Sequence, residues 1–81
     1  MRVRRKDGRE EEFVSEKIVV AVVKAGGKAE IGRAIAKEVE RALSSNTTVT
    51  TEQIRTEVLN RLKSRDSKTY NSWVAYDKEN K

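Results

Sequence analysis

The chain has 81 residues, of which 36% are hydrophobic and 38% charged, and its formal net charge is +5. A chain of this length makes one domain with a small core. Cysteine and histidine are both absent, which excludes disulfides, thiolate metal sites and the commonest general base. The positive charge favours anionic partners, either nucleotides or nucleic acid.

Several function classes are disfavoured by what the sequence lacks. No apolar run reaches membrane-spanning length and no signal-peptide pattern is present, so we expect a soluble, cytoplasmic protein without a membrane partner. No nucleophile motif, evident carboxylate pair or metal-ligand cluster occurs, so we expect neither an enzyme nor a metal site. The glycines form neither a Walker A loop nor a Gly-x-Gly-x-x-Gly motif, so any nucleotide must be held by another device.

The first segment, residues 2–13, predicts a β-hairpin. Asp7-Gly8 is a turn signal between a basic stretch and an acidic stretch that ends on an aromatic residue. A two-residue loop fits the alternation of apolar side chains less well than a three-residue loop over residues 7–9. The three-residue loop predicts two facing pairs, Val3 with Phe13 and Arg5 with Glu11.

The hairpin leads into a helix whose first turn carries an unusual cation. Ser15 is the expected N-cap, and Lys17 in the first turn opposes the helix dipole unless an anion lies nearby. Arg5 and Lys6 on the adjoining hairpin could reach the same place, which makes it a candidate phosphate pocket. The alternative interpretation is that these three cations are surface charges paired with acidic neighbours, namely Glu10, Glu11 and Glu12.

The remaining pattern predicts an α+β fold in which the hairpin and a short third strand pack on about four helices. The first helix is apolar on most of its surface, so we expect it at the centre of the bundle. Thr50 and Gln53 form a capping box that begins the third helix. Trp73 is predicted to belong to the core rather than to stack on a base. The expected helices are about 15–26, 28–43, 51–64 and 67–78, with the strand at about 47–50.

The ordered set of these segments resembles the ATP-cone domain, the nucleotide-sensing regulatory module of many ribonucleotide reductases and of the bacterial repressor of reductase genes. The opening residues that carry the resemblance are Val3, a basic pair, Asp7-Gly8, an acid, an aromatic and Lys17-Ile18. The resemblance covers nearly all of the chain. The family usually has Lys-Arg where this chain has Arg5-Lys6, and it closes with an Arg where this chain has Asp77.

The resemblance implies ATP or dATP as the ligand, with or without Mg²⁺. It implies that Arg5, Lys6 and Lys17 hold phosphates, with help from Arg55. Val3 would pack on the base and Thr51 would hydrogen-bond to it. Glu11 would orient the cations or reach the ligand through a metal ion or water, and Lys78 is the residue that could replace the missing C-terminal Arg.

The expected function is therefore a non-catalytic regulatory module that binds nucleotide and modulates a partner protein or its own association. One alternative is a small basic DNA-binding protein that uses a line of cations on the second helix, Arg33, Lys37 and Arg41. Another is a degenerate cone that binds no nucleotide and serves only in protein assembly. The altered basic pair and Asp77 keep this last alternative open.

Overall fold

The computed structural model describes residues 1–79, so the last two residues of the predicted domain lie outside the described part. The described residues form a three-stranded sheet and four helices, which confirms the α+β fold. In this part of the chain, no helix has the length and apolar character to cross a membrane. The elements are β1 Arg2–Arg4, β2 Glu10–Glu12, α1 Ser15–Lys24, α2 Ala29–Leu43, β3 Thr48–Thr50, α3 Thr51–Arg65 and α4 Ser67–Glu79.

The sheet has the strand order β2-β1-β3, with β1 antiparallel to β2 and parallel to β3. Val3 on β1 and Val49 on β3 are register partners, and both are buried. Their side chains point from one face of the sheet into the core. Because β3 leads directly into α3, this pairing places the start of α3 beside the hairpin.

The hairpin register differs from the predicted one. Val3 lies opposite Glu11, and the Arg5 amide donates to the Arg9 carbonyl at 2.8 Å, so the predicted pairs Val3–Phe13 and Arg5–Glu11 are wrong. The loop has three residues as expected, but it covers 6–8. The reason is that Gly8, at φ +88°, takes the left-handed position that closes a three-residue loop. The shift of two residues keeps each side chain on its predicted face.

Replacing Gly8 by alanine should destabilise the domain by about 1–2 kcal/mol, because a Cβ is disfavoured in the left-handed region. For a domain of this size, that lowers the melting temperature by roughly 4–8 °C per kcal/mol. Gly8→Asn is the matched control, since asparagine tolerates this conformation. Equal losses in thermal unfolding of the two variants would contradict the assigned conformation.

The buried core draws on the sheet and on α1, α2 and α3. Only one face of α1 is buried, since Val20 and Val23 are each 47% exposed, so α1 is less enclosed than its composition predicts. Trp73 of α4 packs against the core but is only half-buried. The buried apolar residues are Val3, Ile18, Val19, Val22, Ile35, Ala36, Val39, Leu43, Val49, Val58 and Leu62.

The N-termini of α1 and α3 are capped differently. The predicted capping box of α3 is confirmed: Gln53 N–H donates to Thr50 Oγ1 at 3.1 Å, and Thr50 N–H donates to Gln53 Oε1 at 2.8 Å. The prediction for α1 is wrong, because Val14 is the N-cap and Ser15 is already helical. No side chain of the described residues caps α1. Its first turn therefore keeps backbone N–H groups that an external acceptor can use.

Candidate functional site

A cleft of about 210 Å³ lies between the hairpin, the first halves of α1 and α3, and one side chain of α4. Its walls are mainly apolar, and charged groups stand at the rim. This combination of an apolar interior with a few polar groups is typical of small-molecule sites. The lining residues are Val3, Glu11, Phe13, Val14, Lys17, Ile18, Ala21, Thr51, Ile54, Arg55, Val58 and Trp73.

The two helices contribute to the cleft with the same spacing. α1 and its N-cap supply residues 14, 17, 18 and 21, and α3 supplies residues 51, 54, 55 and 58. Both sets follow the i, i+3, i+4, i+7 pattern of one helix face. Val14, the N-cap of α1, and Thr51, the first residue of α3, both line the cleft, so the helix dipoles favour negative charge there.

Glu11 binds two of the cations expected to hold phosphate. Lys17 Nζ donates to Glu11 Oε1 at 3.1 Å, and Arg5 Nη1 reaches Glu11 Oε2 at 3.5 Å. The hydrogen bond from Lys17 is the main cause that holds the pKa of Glu11 below its ordinary value. These are the ion pairs that the surface-charge interpretation predicted for Arg5 and Lys17. They also hold both cations beside the cleft.

A second ion pair joins the cleft to α4. The Arg55 guanidinium, on the cleft wall, donates to the Asp77 carboxylate. Asp77 in turn lines a neighbouring cleft of about 640 Å³ between α1 and α4. The two clefts meet at Ala21 and Trp73, which line both.

The structure brings most of the predicted site residues together. Val3, Glu11, Lys17, Thr51 and Arg55 line the cleft, and Arg5 stands at its rim through the contact with Glu11. Two others lie elsewhere. Lys6, 83% exposed in the hairpin loop, pairs with Glu52 at 3.5 Å, and Lys78 is exposed on α4 outside the lining.

Sequence reasoning placed Val3 against the base but missed other apolar walls of the cleft and the ion pair of Asp77. The walls include Ala21 and Ile54, which follow Lys17 and Thr51 at helical spacing. Extending the face of each helix from Lys17 and from Thr51 would have found them. Asp77 offered no such signal, because 22 residues separate it from Arg55.

The cations proposed for the DNA-binding alternative lie on an exposed face of α2. Arg33, Lys37 and Arg41 are exposed, and within residues 1–79 none of them has an ion-pair partner. Glu30 and Glu40 are exposed on the same side of the helix. These acids reduce the positive potential of the face, so the structure gives this alternative little support.

Four carboxylates of the described residues make the stability of the domain dependent on pH. Hydrogen bonds and ion pairs hold the pKa of each below its ordinary value of 3.8 for aspartate or 4.5 for glutamate. The main donors are Arg9 N–H to Asp7, Arg4 to Glu10, Lys17 to Glu11 and the Thr69 hydroxyl to Asp66.

Lowering the pH through about 4 should therefore destabilise the domain. A carboxyl whose pKa is lower in the folded state stabilises it above the unfolded pKa, and this contribution is lost as pH falls through the folded pKa. We expect the urea midpoint to be level above about pH 5 and to fall below about pH 4. Glu11→Gln should make the fall shallower. A midpoint that does not change down to pH 3 would contradict this linkage.

A cleft with an apolar interior, with cations and helix N-termini beside it, has the features of a small-molecule site suited to a nucleotide-like anion. The model of the ATP cone domain family matches residues 1–81, the whole chain. The chain therefore belongs to the ATP-cone family, whose members are regulatory, non-catalytic domains that bind ATP or dATP as effectors. A comparison with curated proteins found no match.

Proposed function

We propose that this domain binds ATP or dATP in the cleft between the hairpin, α1 and α3, and that occupancy regulates a protein partner or self-association. The single observation that carries the proposal is the convergence of Lys17, Arg55 and Thr51 on one apolar cleft. Residues from two separate helices, α1 and α3, meet there, as an anionic ligand with an aromatic base requires.

The base belongs in the apolar interior. The cleft of about 210 Å³ is smaller than the roughly 300–1,000 Å³ that drug-sized ligands occupy. It therefore suits the base, with the phosphates outside at the rim. Val3 forms one wall, while Ile54 and Trp73 form others. A planar heterocycle between such side chains gains hydrophobic burial and aromatic contact.

Thr51 is the residue we assign to recognition of the base. It is the first residue of α3 and lines the cleft, while Thr50 provides the cap. Within residues 1–79, the Thr51 hydroxyl has no hydrogen-bond partner. A hydroxyl can donate and accept at once, so it can bond to ring nitrogens or exocyclic groups of the base.

The phosphates belong with Lys17, Arg55 and the uncapped first turn of α1. Charge-assisted hydrogen bonds from these cations, together with the α1 backbone amides, match phosphate oxygens. Arg5 can join them by exchanging Glu11 for phosphate. Glu11 then faces the ligand through water or through Mg²⁺ carried by the nucleotide. We assign no ligand contact to Lys6 or Lys78.

Regulation requires that the ligand bind two states of the protein with different affinity. The proposed partner is either a second protein or another copy of this chain, and the proposed location is the cytoplasm, where ATP and dATP are both available. Hydrolysis of the nucleotide is not part of the proposal. The domain acts as a sensor.

Calorimetric titration with ATP and with dATP, each with magnesium, tests the proposal. We expect saturable binding of both nucleotides, weaker binding of adenosine and of tripolyphosphate, and a rise in melting temperature. A ligand at 100 times its Kd stabilises the folded state by about 2.7 kcal/mol. Absence of heat, with an unchanged melting temperature at millimolar nucleotide, would overturn the proposal and favour a role in protein assembly alone.

A further inference from the structure

The Arg55–Asp77 ion pair connects the proposed phosphate site to the end of α4. Arg55 lies in the second turn of α3 with its side chain 42% exposed, and Asp77 lies near the end of α4 with its side chain 25% exposed. The pair is therefore partly removed from water. Its guanidinium lies on the wall of one cleft and its carboxylate on the wall of the next.

After Trp73, which packs against the core, no described residue of α4 is buried. The one buried residue of α4 among those described is Thr69, in its first turn. Farther along the helix, Trp73 and Asp77 line the 640 Å³ cleft that separates α4 from α1. An element with few buried apolar contacts opens at low free energy. The Arg55–Asp77 pair thus joins the least buried part of α4 to α3.

An incoming phosphate must compete with Asp77 for Arg55. Both anions seek the same guanidinium, and a phosphate placed there would lie beside the carboxylate, where like charges repel each other. From this geometry, and resting on the proposed function, we propose that Asp77 is an internal competitor for Arg55. Nucleotide binding exchanges the carboxylate for phosphate and releases the C-terminal half of α4 from α3.

The proposal gives Asp77 two measurable roles. It lowers nucleotide affinity, because the binding-competent state with Arg55 free is only a fraction of the free protein. It also couples the ligand to the position of α4, since the ligand favours the state in which Asp77 is released. Asp77 is a positioning residue that acts through Arg55, so its effect must disappear when Arg55 is removed.

The test compares ATP titrations of the wild-type chain, Asp77→Asn, Arg55→Ala and the double variant. Asp77→Asn should bind ATP about fivefold or more tightly, and Arg55→Ala should bind it more weakly. Asp77→Asn should have no effect on affinity in the Arg55→Ala background. Glu38→Gln is the matched control: it removes one negative charge from a carboxylate paired with Arg61 and Arg65, outside the cleft.

Hydrogen exchange of the backbone amides of residues 74–79 supplies the second measurement. Exchange there should become faster when ATP binds the wild-type chain, and it should already be fast in Asp77→Asn without ATP. If wild type binds ATP while Asp77→Asn binds no more tightly than Glu38→Gln, the inference is overturned and the proposed function stands. Binding by Asp77→Asn alone would support the inference. If neither the wild-type chain nor Asp77→Asn binds ATP, both the proposed function and this inference are overturned.

Discussion

Replacing Lys17 by alanine is expected to weaken ATP binding by about 10- to 150-fold without unfolding the domain. A hydrogen bond to a charged group contributes about 1.5–3 kcal/mol, and each 1.4 kcal/mol is tenfold in affinity. The variant also leaves the Glu11 carboxylate without its closest partner in the cleft, the Lys17 ammonium at 3.1 Å. An unpaired carboxylate there would repel phosphate and add to the loss.

The fold should survive this change. The Lys17 side chain is 64% exposed, and exposed ion pairs contribute at most about 1 kcal/mol to stability. Removing a cation from the first turn of a helix also relieves an unfavourable interaction with the dipole. Lys37→Ala, on the exposed face of α2, is the matched control for loss of one lysine. Unchanged ATP affinity in Lys17→Ala would show that Lys17 does not contribute to nucleotide binding.

Replacing Ala21 by phenylalanine should reduce ATP affinity by about 100-fold or more. Ala21 is half-buried and lines both clefts. A phenyl ring at this position would enter the space that we assign to the base. Losing aromatic burial of this size removes several kcal/mol of binding energy. Stability should be retained, because the ring enters an open apolar cleft and does not overpack a filled core.

Val20→Phe provides the comparison for the blocked cleft. Val20 is the preceding residue of α1, is 47% exposed and does not line either cleft. The same ring is therefore added to the same helix, on a face that the ligand does not touch. Fluorescence titration of Trp73, the single tryptophan of the chain, can follow both variants. Equal ATP affinity of the two variants would place the base elsewhere.

Local chemistry made part of this structure predictable from the sequence. The capping box of α3 depends on Thr50 and Gln53, which are three residues apart, so the signal lies within one helical turn. The hairpin was also predictable, but its register was not. Gly8 can occupy more than one position of a short loop. The left-handed position that it takes in the structure determines which residues of β1 and β2 pair.

The start of α1 shows how tertiary context overrides a local preference. Ser15 has the side chain of a good N-cap, yet the helix begins one residue earlier with Val14 as its cap. In this arrangement Phe13 and Ile18 occupy the staple positions, and both line the cleft. Packing of these apolar side chains outweighs a capping hydrogen bond of about 1 kcal/mol.

Contacts of the candidate site between residues close in sequence were predictable, whereas contacts between residues far apart in sequence were not. Lys17 and Glu11 are close in sequence and belong to one hairpin–helix unit, so their proximity followed from the pattern. The Arg55–Asp77 pair depends on the packing of α4 against α3, which no local pattern encodes. For the same reason Trp73 was expected in the core, whereas it packs on the core and lines both clefts.

The most direct test of the central claim is to titrate the isotopically labelled chain with ATP and magnesium and to follow its amide and indole resonances by NMR. We expect the largest shifts at Lys17, Ala21, Thr51 and Ile54 and at the indole of Trp73. The amides of the exposed α2 cations, Arg33, Lys37 and Arg41, should not shift. Shifts concentrated on that face of α2, or no shifts at millimolar ATP, would contradict nucleotide binding in this cleft.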